Sequence, residues 1–243
     1  MTLGEFITLL SYLTGAAVFV WAARRRRLAT EGMAILAAVG FVSGILGAKL
    51  TQTLASGLPL VAMANPGGRA LLGGLVFGWL GVEIAKRKMG IRRSTGDLFA
   101  LALPAGEAIG RLGCHFNGCC YGIPWDGPGA IWQHGTLRFP SQLLSAVVAA
   151  GMFGFLLWLS SPSPSGSSWR GSWGERQQEG DLFRAYLLLF GLTRFGLEFV
   201  RWRESTVAGL SPMQWFCLDL IVIASIGLLR RKRNDLPQLR PGV

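Results

Sequence analysis

Charge is scarce in this sequence, and negative charge scarcest. Only 15% of its 243 residues are charged, against about 25% in an average soluble protein. Thirteen are Asp or Glu and 24 are Lys or Arg. That shortage argues against an ordinary water-soluble domain. Four cysteines are too few for a secreted disulfide scaffold. No basic stretch precedes the first apolar run. It opens Met1-Thr2-Leu3-Gly4-Glu5 with the positive charges behind it, the reverse of a cleavable signal peptide. No internal repeat is visible, which counts against a transporter built from two related halves. What the chain has in abundance is apolar residues, 51% of the total, with a mean hydropathy of +0.41. They come in long runs.

A span needs about 20 mostly apolar residues to cross a hydrocarbon core of about 30 Å. Segments 3–22, 33–54, 68–85, 96–113, 141–160, 182–200 and 209–229 qualify. The expected fold is therefore all-α: a polytopic membrane protein of about seven transmembrane helices, with residues 1–243 forming a single bundle. The net charge of +11 raises nucleic-acid binding, but the basic residues are gathered between the apolar runs. Arg24 to Arg27 follow the first run. Lys86, Arg87, Lys88, Arg92 and Arg93 follow the third, and Arg170, Arg176 and Arg184 lie around the loop after the fifth. Arg230, Arg231, Lys232, Arg233 and Arg240 follow the seventh. All these loops fall on one face of an alternating seven-span chain. By the positive-inside rule the N-terminus is outside and the C-terminus inside. No nucleic-acid partner is expected. An external loop then covers 114–140, and a polar, flexible cytoplasmic loop covers 161–181. Gly40-x3-Gly44, Gly74-x3-Gly78 and Gly106-x3-Gly110 have the spacing that lets helix backbones approach closely.

The remaining basic residues are Lys49, Arg69, Arg111, Arg138, Arg194, Arg201 and Arg203, within spans or on the other side. An arginine near the bilayer centre costs at least about 2.5–3.5 kcal/mol, so such a residue usually faces a cavity and has a task. Glu107 and Arg111 stand four residues apart on one helical face, and Arg194, Glu198 and Arg201 form a second stripe. Arg194 lies eleven residues beyond Phe183, about 16 Å along a helix and so near mid-bilayer. The stripes read either as ion pairs that lock helices together or as an anion site. Guanidinium groups bind phosphate through a two-pronged fork, and the anion at membrane depth is a lipid headgroup.

The segment from Gly110 to Gly122 is dense in glycine and holds Arg111, Cys114, His115, Asn117, Cys119 and Cys120. Such a composition describes tight turns around a polar site. Thiolate and imidazole are zinc ligands, but the spacing C-H-x3-C-C matches no standard pair. A disulfide from Cys114 to Cys119 or Cys120, and small thiols packed beside glycines, are the other readings. Cys217 reads as core and His134 as a surface histidine. His115, as a neutral imidazole beside Arg111, is the candidate proton acceptor. No metal and no cofactor are expected.

Five motifs, taken in order, resemble the prolipoprotein diacylglyceryl transferase family. They are Asn65-Pro66-Gly67-Gly68 with Gly73-Gly74; Gly110-Arg111-Leu112-Gly113 with Asn117-Gly118 and Gly122; Arg138 with Pro140-Ser141-Gln142-Leu143; Arg194-Phe195, Glu198-Phe199 and Arg201; and Met213-Gln214. The resemblance spans roughly residues 40–225. It implies a bacterial inner-membrane, multi-pass enzyme that moves diacylglycerol from phosphatidylglycerol to the lipobox cysteine of a lipoprotein precursor, releasing glycerol phosphate. Its partners would be phosphatidylglycerol, precursor signal peptides and membrane lipid. On that resemblance the catalytic residues are Arg111, Arg194 and His115, and the lipid is bound by Arg111, Asn117, Gln142, Arg194, Glu198 and Arg201. The sequence departs from the family pattern at Leu72, which stands where a histidine is usual, and at Cys114, Cys119, Phe139 and Ser145. Two further readings stay open: a phospholipid-binding protein, or transferase-like enzyme with another acceptor, that lacks lipoprotein transfer; and a thiol-based oxidoreductase or metal protein using Cys114, Cys119 and Cys120.

Overall fold

A computed structural model describes residues 2–26, 31–55, 57, 59–61, 71–91, 94–161, 179–203 and 206–234. The motif 65–68, most of the polar loop (162–178), and Arg27, Arg69, Arg92, Arg93, Arg170, Arg176 and Arg240 lie outside the described residues, as does the side chain of Leu72. Among the described residues there are seven α-helices: α1 (Leu3–Arg25), α2 (Glu31–Ala55), α3 (Leu71–Lys88), α4 (Gly96–Phe116), α5 (Ser141–Ser160), α6 (Asp181–Leu197) and α7 (Pro212–Asn234). One short hairpin, β1 (Ile131–Gln133) and β2 (Thr136–Arg138), stands between α4 and α5. The chain is an all-α polytopic membrane protein.

Leu3–Arg25, Gly32–Leu54, Ser141–Ser160 and Pro212–Arg230 are each long and apolar enough to cross a bilayer. The other three helices carry the charges that lower their hydropathy. Glu83, Lys86, Arg87 and Lys88 crowd the end of α3; Asp97, Glu107 and Arg111 lie on α4; Asp181, Arg184 and Arg194 lie on α6. Polarity inside and apolarity outside repeat across the molecule. Leu13, Val147, Ile223 and Leu229 are each more than half exposed, whereas Arg111, Gln142, Arg194, Glu198 and Gln214 are buried. Exposed apolar side chains on a helix are free of cost only where the surrounding solvent is lipid.

The chain forms two compact units, residues 19–93 and residues 1–18 with 94–243. In the first, α2 and α3 pack together. Glycine makes that approach possible: a Cβ on Gly78 would stand 3.3 Å from the Gly40 carbonyl oxygen and 3.5 Å from Gly44 Cα. Two of the three small-residue motifs expected from spacing thus meet each other. In the second unit α4 packs against α5 and α6, and α6 against α7. The beginning of α1 lies on α4, where a Cβ at Gly106 would come 3.0 Å from the Ser11 carbonyl oxygen. Asp97 ties the starts of two helices together. Its carboxylate accepts the backbone N–H groups of Gly180 and Phe183, each at 3.1 Å. Negative charge there also meets the positive end of the α6 dipole.

Residues 117–140, 200–203 and 206–211 form an irregular cap at one end of the second unit. Ile123 N–H donates to Val200 O at 3.1 Å, Trp202 N–H to Tyr121 O at 3.0 Å, and Phe139 N–H to Ile123 O at 3.0 Å. These bonds extend the hairpin into a small patch of paired backbone. Gly122 is required there, because a Cβ would stand 3.0 Å from the Phe139 carbonyl carbon and closer still to its oxygen. Exposed Trp125, Trp132, Trp202 and Trp215 lie in or beside this cap. Tryptophan at that level is the usual content of a membrane interface.

One local expectation changes. The stripe Arg194, Glu198, Arg201 does not continue along one α-helix. Helix α6 ends at Leu197, Glu198–Val200 is a 3₁₀ turn, and Arg201 is extended. The reason is backbone pairing: Arg201 bridges antiparallel to Gly122 in the cap, so the chain leaves the helix to join it.

Candidate active site

Helices α4 and α6 carry the buried charges, and their packing gathers these into one cluster. On α4, Arg111 closes onto Glu107: Nε donates to Oε1 at 3.1 Å and Nη2 to the same oxygen at 2.6 Å. Both lie on the face turned inward. On α6, Arg194 Nη2 stands 2.9 Å from Glu198 Oε2. This is a charge contact without hydrogen-bond alignment, since Glu198 Oε2 and Arg194 Nε are both buried with no hydrogen-bond partner among the described residues. Arg194 is 4% exposed, so an N–H left over at that depth is a donor waiting for an acceptor. Glu198 is shared further. Its Oε1 accepts the Ser211 hydroxyl at 3.3 Å, and Arg201 Nη1 stands 3.9 Å from its Oε2.

Arg111 and Arg201 both lie within electrostatic range of Arg194, as do Glu107 and Glu198. Three guanidinium groups thus face two carboxylates, and the imbalance favours an anion. Glu107 holds Arg111 on the same helix, and Glu198 holds Arg194 from the 3₁₀ turn just beyond it, which orients the remaining donors before any ligand arrives. The buried Tyr186 of α6 sits in the field of Glu107 and Arg111.

Arg201 turns its Nη2 to the Cys120 sulfur at 2.9 Å. Cys120 adopts a left-handed backbone, φ 58°, which a non-glycine residue adopts at a cost of about 1–2 kcal/mol. Its thiol is held well below the ordinary range, first by hydrogen bonds from the thiols of Cys114 and Cys119, then by Arg201 and Arg111, with burial opposing. The sulfurs of Cys114, Cys119 and Cys120 all lie within 4.8 Å of one another. All four cysteines are free thiols, without the disulfide that was one of the open readings. Cys217 is buried in α7.

The other residues singled out from sequence fall at varied distances from this cluster. Gln142 is buried at the start of α5, where Nε2 donates to Cys119 O and to Gln133 Oε1, both at 3.0 Å; its own Oε1 is buried without a hydrogen-bond partner among the described residues. It therefore supports the cysteine turn. Asn117 is the C-cap of α4 and turns away, its side chain lying against Gly4 and 3.4 Å from the Thr2 hydroxyl. His115 packs edge-on against Phe116, and its Nδ1 is buried with no hydrogen-bond partner among the described residues. His134 donates to or accepts from the cap rather than standing free, with Nε2 2.6 Å from Gly118 O and its ring against Tyr121.

Arg138 is a basic residue whose position the sequence left undecided, and its work is in the cap. Nε donates to Gln133 O and Nη1 to Gly122 O, each at 3.1 Å, while the guanidinium lies 4.4 Å from the Tyr121 ring centre and 5.4 Å from that of Trp202. Sequence reading missed Ser211, Tyr186 and the pairing of Arg201 with Cys120. None carries a local signal, since each partner comes from a distant part of the chain.

Residues 6–230 match the family profile of prolipoprotein diacylglyceryl transferase. A phosphatidylglycerol–prolipoprotein diacylglyceryl transferase of Polynucleobacter asymbioticus is 32% identical over 216 residues, covering 81% of this chain and 76% of its own. The protein of the same name from Aromatoleum aromaticum is 31% identical over 216 residues, covering 81% and 76%. That from Dehalococcoides mccartyi is 26% identical over 214 residues, covering 82% and 76%. With a profile match running from α1 to α7 and relatives aligned over four-fifths of its length, the chain belongs to the prolipoprotein diacylglyceryl transferase family.

Proposed function

We propose that this protein transfers diacylglycerol from phosphatidylglycerol to the lipobox cysteine of lipoprotein precursors in the bacterial inner membrane, with Arg111, Arg194 and Arg201 at the lipid phosphate. The observation that carries the reading is the unused Nε–H of Arg194, buried at membrane depth within reach of two further guanidinium groups. A phosphodiester headgroup supplies what that arrangement lacks: a negative charge and acceptor oxygens.

The reaction needs little more than position and charge. The acceptor cysteine sulfur attacks the glyceryl carbon of the diacylglycerol moiety, a thioether C–S bond forms, and the C–O bond to phosphate breaks. Glycerol phosphate leaves with the electron pair, and the thiol proton must go to a base. Negative charge grows on the departing phosphate, and preoriented guanidinium groups stabilise it more in the transition state than in the bound lipid. His115 is the candidate for the proton, since its Nδ1 has no other hydrogen-bond partner among the described residues and a neutral imidazole nitrogen can accept a proton. Gln142 holds the turn beside the arginines, and Glu198 sets their orientation. With the N-terminus outside and C-terminus inside, the cap and cysteine turn face the outer side, where a precursor's signal peptide presents its cysteine.

The test is transfer of diacylglycerol from phosphatidylglycerol vesicles to a lipobox peptide by the purified protein. Arg111→Ala and Arg194→Ala should each lower the rate at least about a hundredfold, and neither should complement a cell depleted of its own transferase. Full transfer by either variant removes the mechanism. The replacement of the family histidine by Leu72 favours one other reading: a lipid-binding relative without lipoprotein transfer. Tightly retained phospholipid with no transfer to any lipobox peptide would establish it.

A further inference from the structure

The cysteine turn is more than a support for the arginines. Cys114 stands in the last turn of α4, and Cys119 N–H donates to the Cys114 carbonyl at 3.1 Å. Gly118 and Cys120 both take left-handed backbone conformations, φ 65° and 58°. Those two reversals fold the chain back so that three sulfurs from a seven-residue stretch come within 4.8 Å of one another. Two metal–sulfur bonds of about 2.3 Å at a tetrahedral angle separate their sulfurs by about 3.8 Å, so closure onto one ion needs a shift of about 1 Å or less. We infer that Cys114, Cys119 and Cys120 form a trithiolate site for one soft d¹⁰ cation, Zn²⁺ or Cu⁺.

The surroundings suit that occupant. Three thiolates around either cation make an anionic complex, and Arg201 Nη2 already lies 2.9 Å from the Cys120 sulfur, with Arg111 in electrostatic range of it. Guanidinium N–H donors against ligand sulfurs offset the excess charge and hold the ligand's orientation. A bare cation would be repelled there; a thiolate complex is not. The other readings explain less. Thiols that merely fill space have no use for a guanidinium donor, and Cys119 is exposed. That exposure also gives an entry path and leaves the fourth position to water. Soft thiolate ligands select these cations over Mg²⁺ or Ca²⁺. Occupancy would staple the end of α4 to the turn that leads into the cap.

The experiment uses the full chain in detergent, reduced with a phosphine, freed of metal and dialysed against Zn²⁺ or buffered Cu⁺. At least one of the two cations should bind at one equivalent per chain and protect Cys114, Cys119 and Cys120, but not Cys217, from alkylation. The cation bound more tightly identifies the occupant. Replacing all three cysteines by serine should weaken binding at least about a hundredfold, and Cys217→Ser should leave it unchanged. The alkylation pattern on the unsubstituted protein decides the matter even if the triple variant misfolds. No stoichiometric binding of either cation, or binding without protection of the three cysteines, overturns the inference. The outcome is independent of diacylglyceryl transfer, since neither readout uses the lipid.

Discussion

Cys120 and Arg201 stand 81 positions apart in the chain and meet in the cap, and the pair has a measurable consequence. A thiol whose folded value is depressed contributes stability that is fully present above its unfolded value, about 8.5, and is lost as pH falls through the depressed one. In reduced, metal-free protein the difference in ultraviolet thiolate absorption between the native chain and Cys120→Ser should therefore persist well below pH 8. Arg201→Gln removes an attraction for the thiolate, so the ionisation should move upward; an unchanged midpoint would show that the neighbouring thiols alone set it. Arg138 makes a different prediction, about stability. Lysine keeps its charge but cannot span Gln133 O and Gly122 O together while lying over two rings. Arg138→Lys should destabilise the cap by about 1–3 kcal/mol, read as a lower thermal midpoint in detergent. At this scale the sequence was half legible. Arg111, Arg194 and Glu198 stood out because charge in an apolar run is costly. Arg201, Cys120 and Ser211 did not reveal their pairing, because it exists only after α6 breaks into a 3₁₀ turn.

Among elements, the glycines differ in ways that spacing cannot show. A Cβ on Gly73 would collide with the Thr51 side chain and the Gly47 carbonyl oxygen, whereas on Gly74 it would rest 3.4 Å from Ala48 Cβ and from the Gly44 carbonyl oxygen. Gly73→Ala must push α3 off α2, at about 1–3 kcal/mol, while Gly74→Ala should stay within about 0.5 kcal/mol of the parent. Equal effects in thermal unfolding would contradict this packing. The G-x3-G pattern located the helix pair, since two of its instances face each other, but it ranked Gly74 above Gly73. The collision depends on where Thr51 and Gly47 sit on the neighbouring helix, and no pattern within α3 contains that. Proline and charge shaped the elements in the same partial way. The helices that fall short of the simple measure of span length and hydropathy bear ion pairs, and α4 carries Pro104 as well. Their polar faces are covered by neighbouring helices, which the sequence of one helix cannot promise.

For the whole molecule, the distribution of lysine and arginine calls for an outer N-terminus and an inner C-terminus. A reporter active only in the cytoplasm should work when fused after Val243, and fused into the cap near Trp132 it should stay silent. The opposite pattern would reverse the orientation and place the cysteine turn in a reducing compartment. By itself the sequence determined the helical membrane class, because long apolar runs have nowhere else to be satisfied, and it marked the arginines that membrane depth makes conspicuous. Family membership was also legible, in motifs spread along the chain. Only the tertiary structure decided how α4, α6 and the cap converge. There Arg194 keeps an unused N–H, Arg201 leaves its helix for Cys120, Asn117 turns aside, and three thiols with no standard spacing share one point. These depend on which backbone segments pair across dozens of residues, and pairing energy of that kind belongs to the folded chain rather than to any stretch of it.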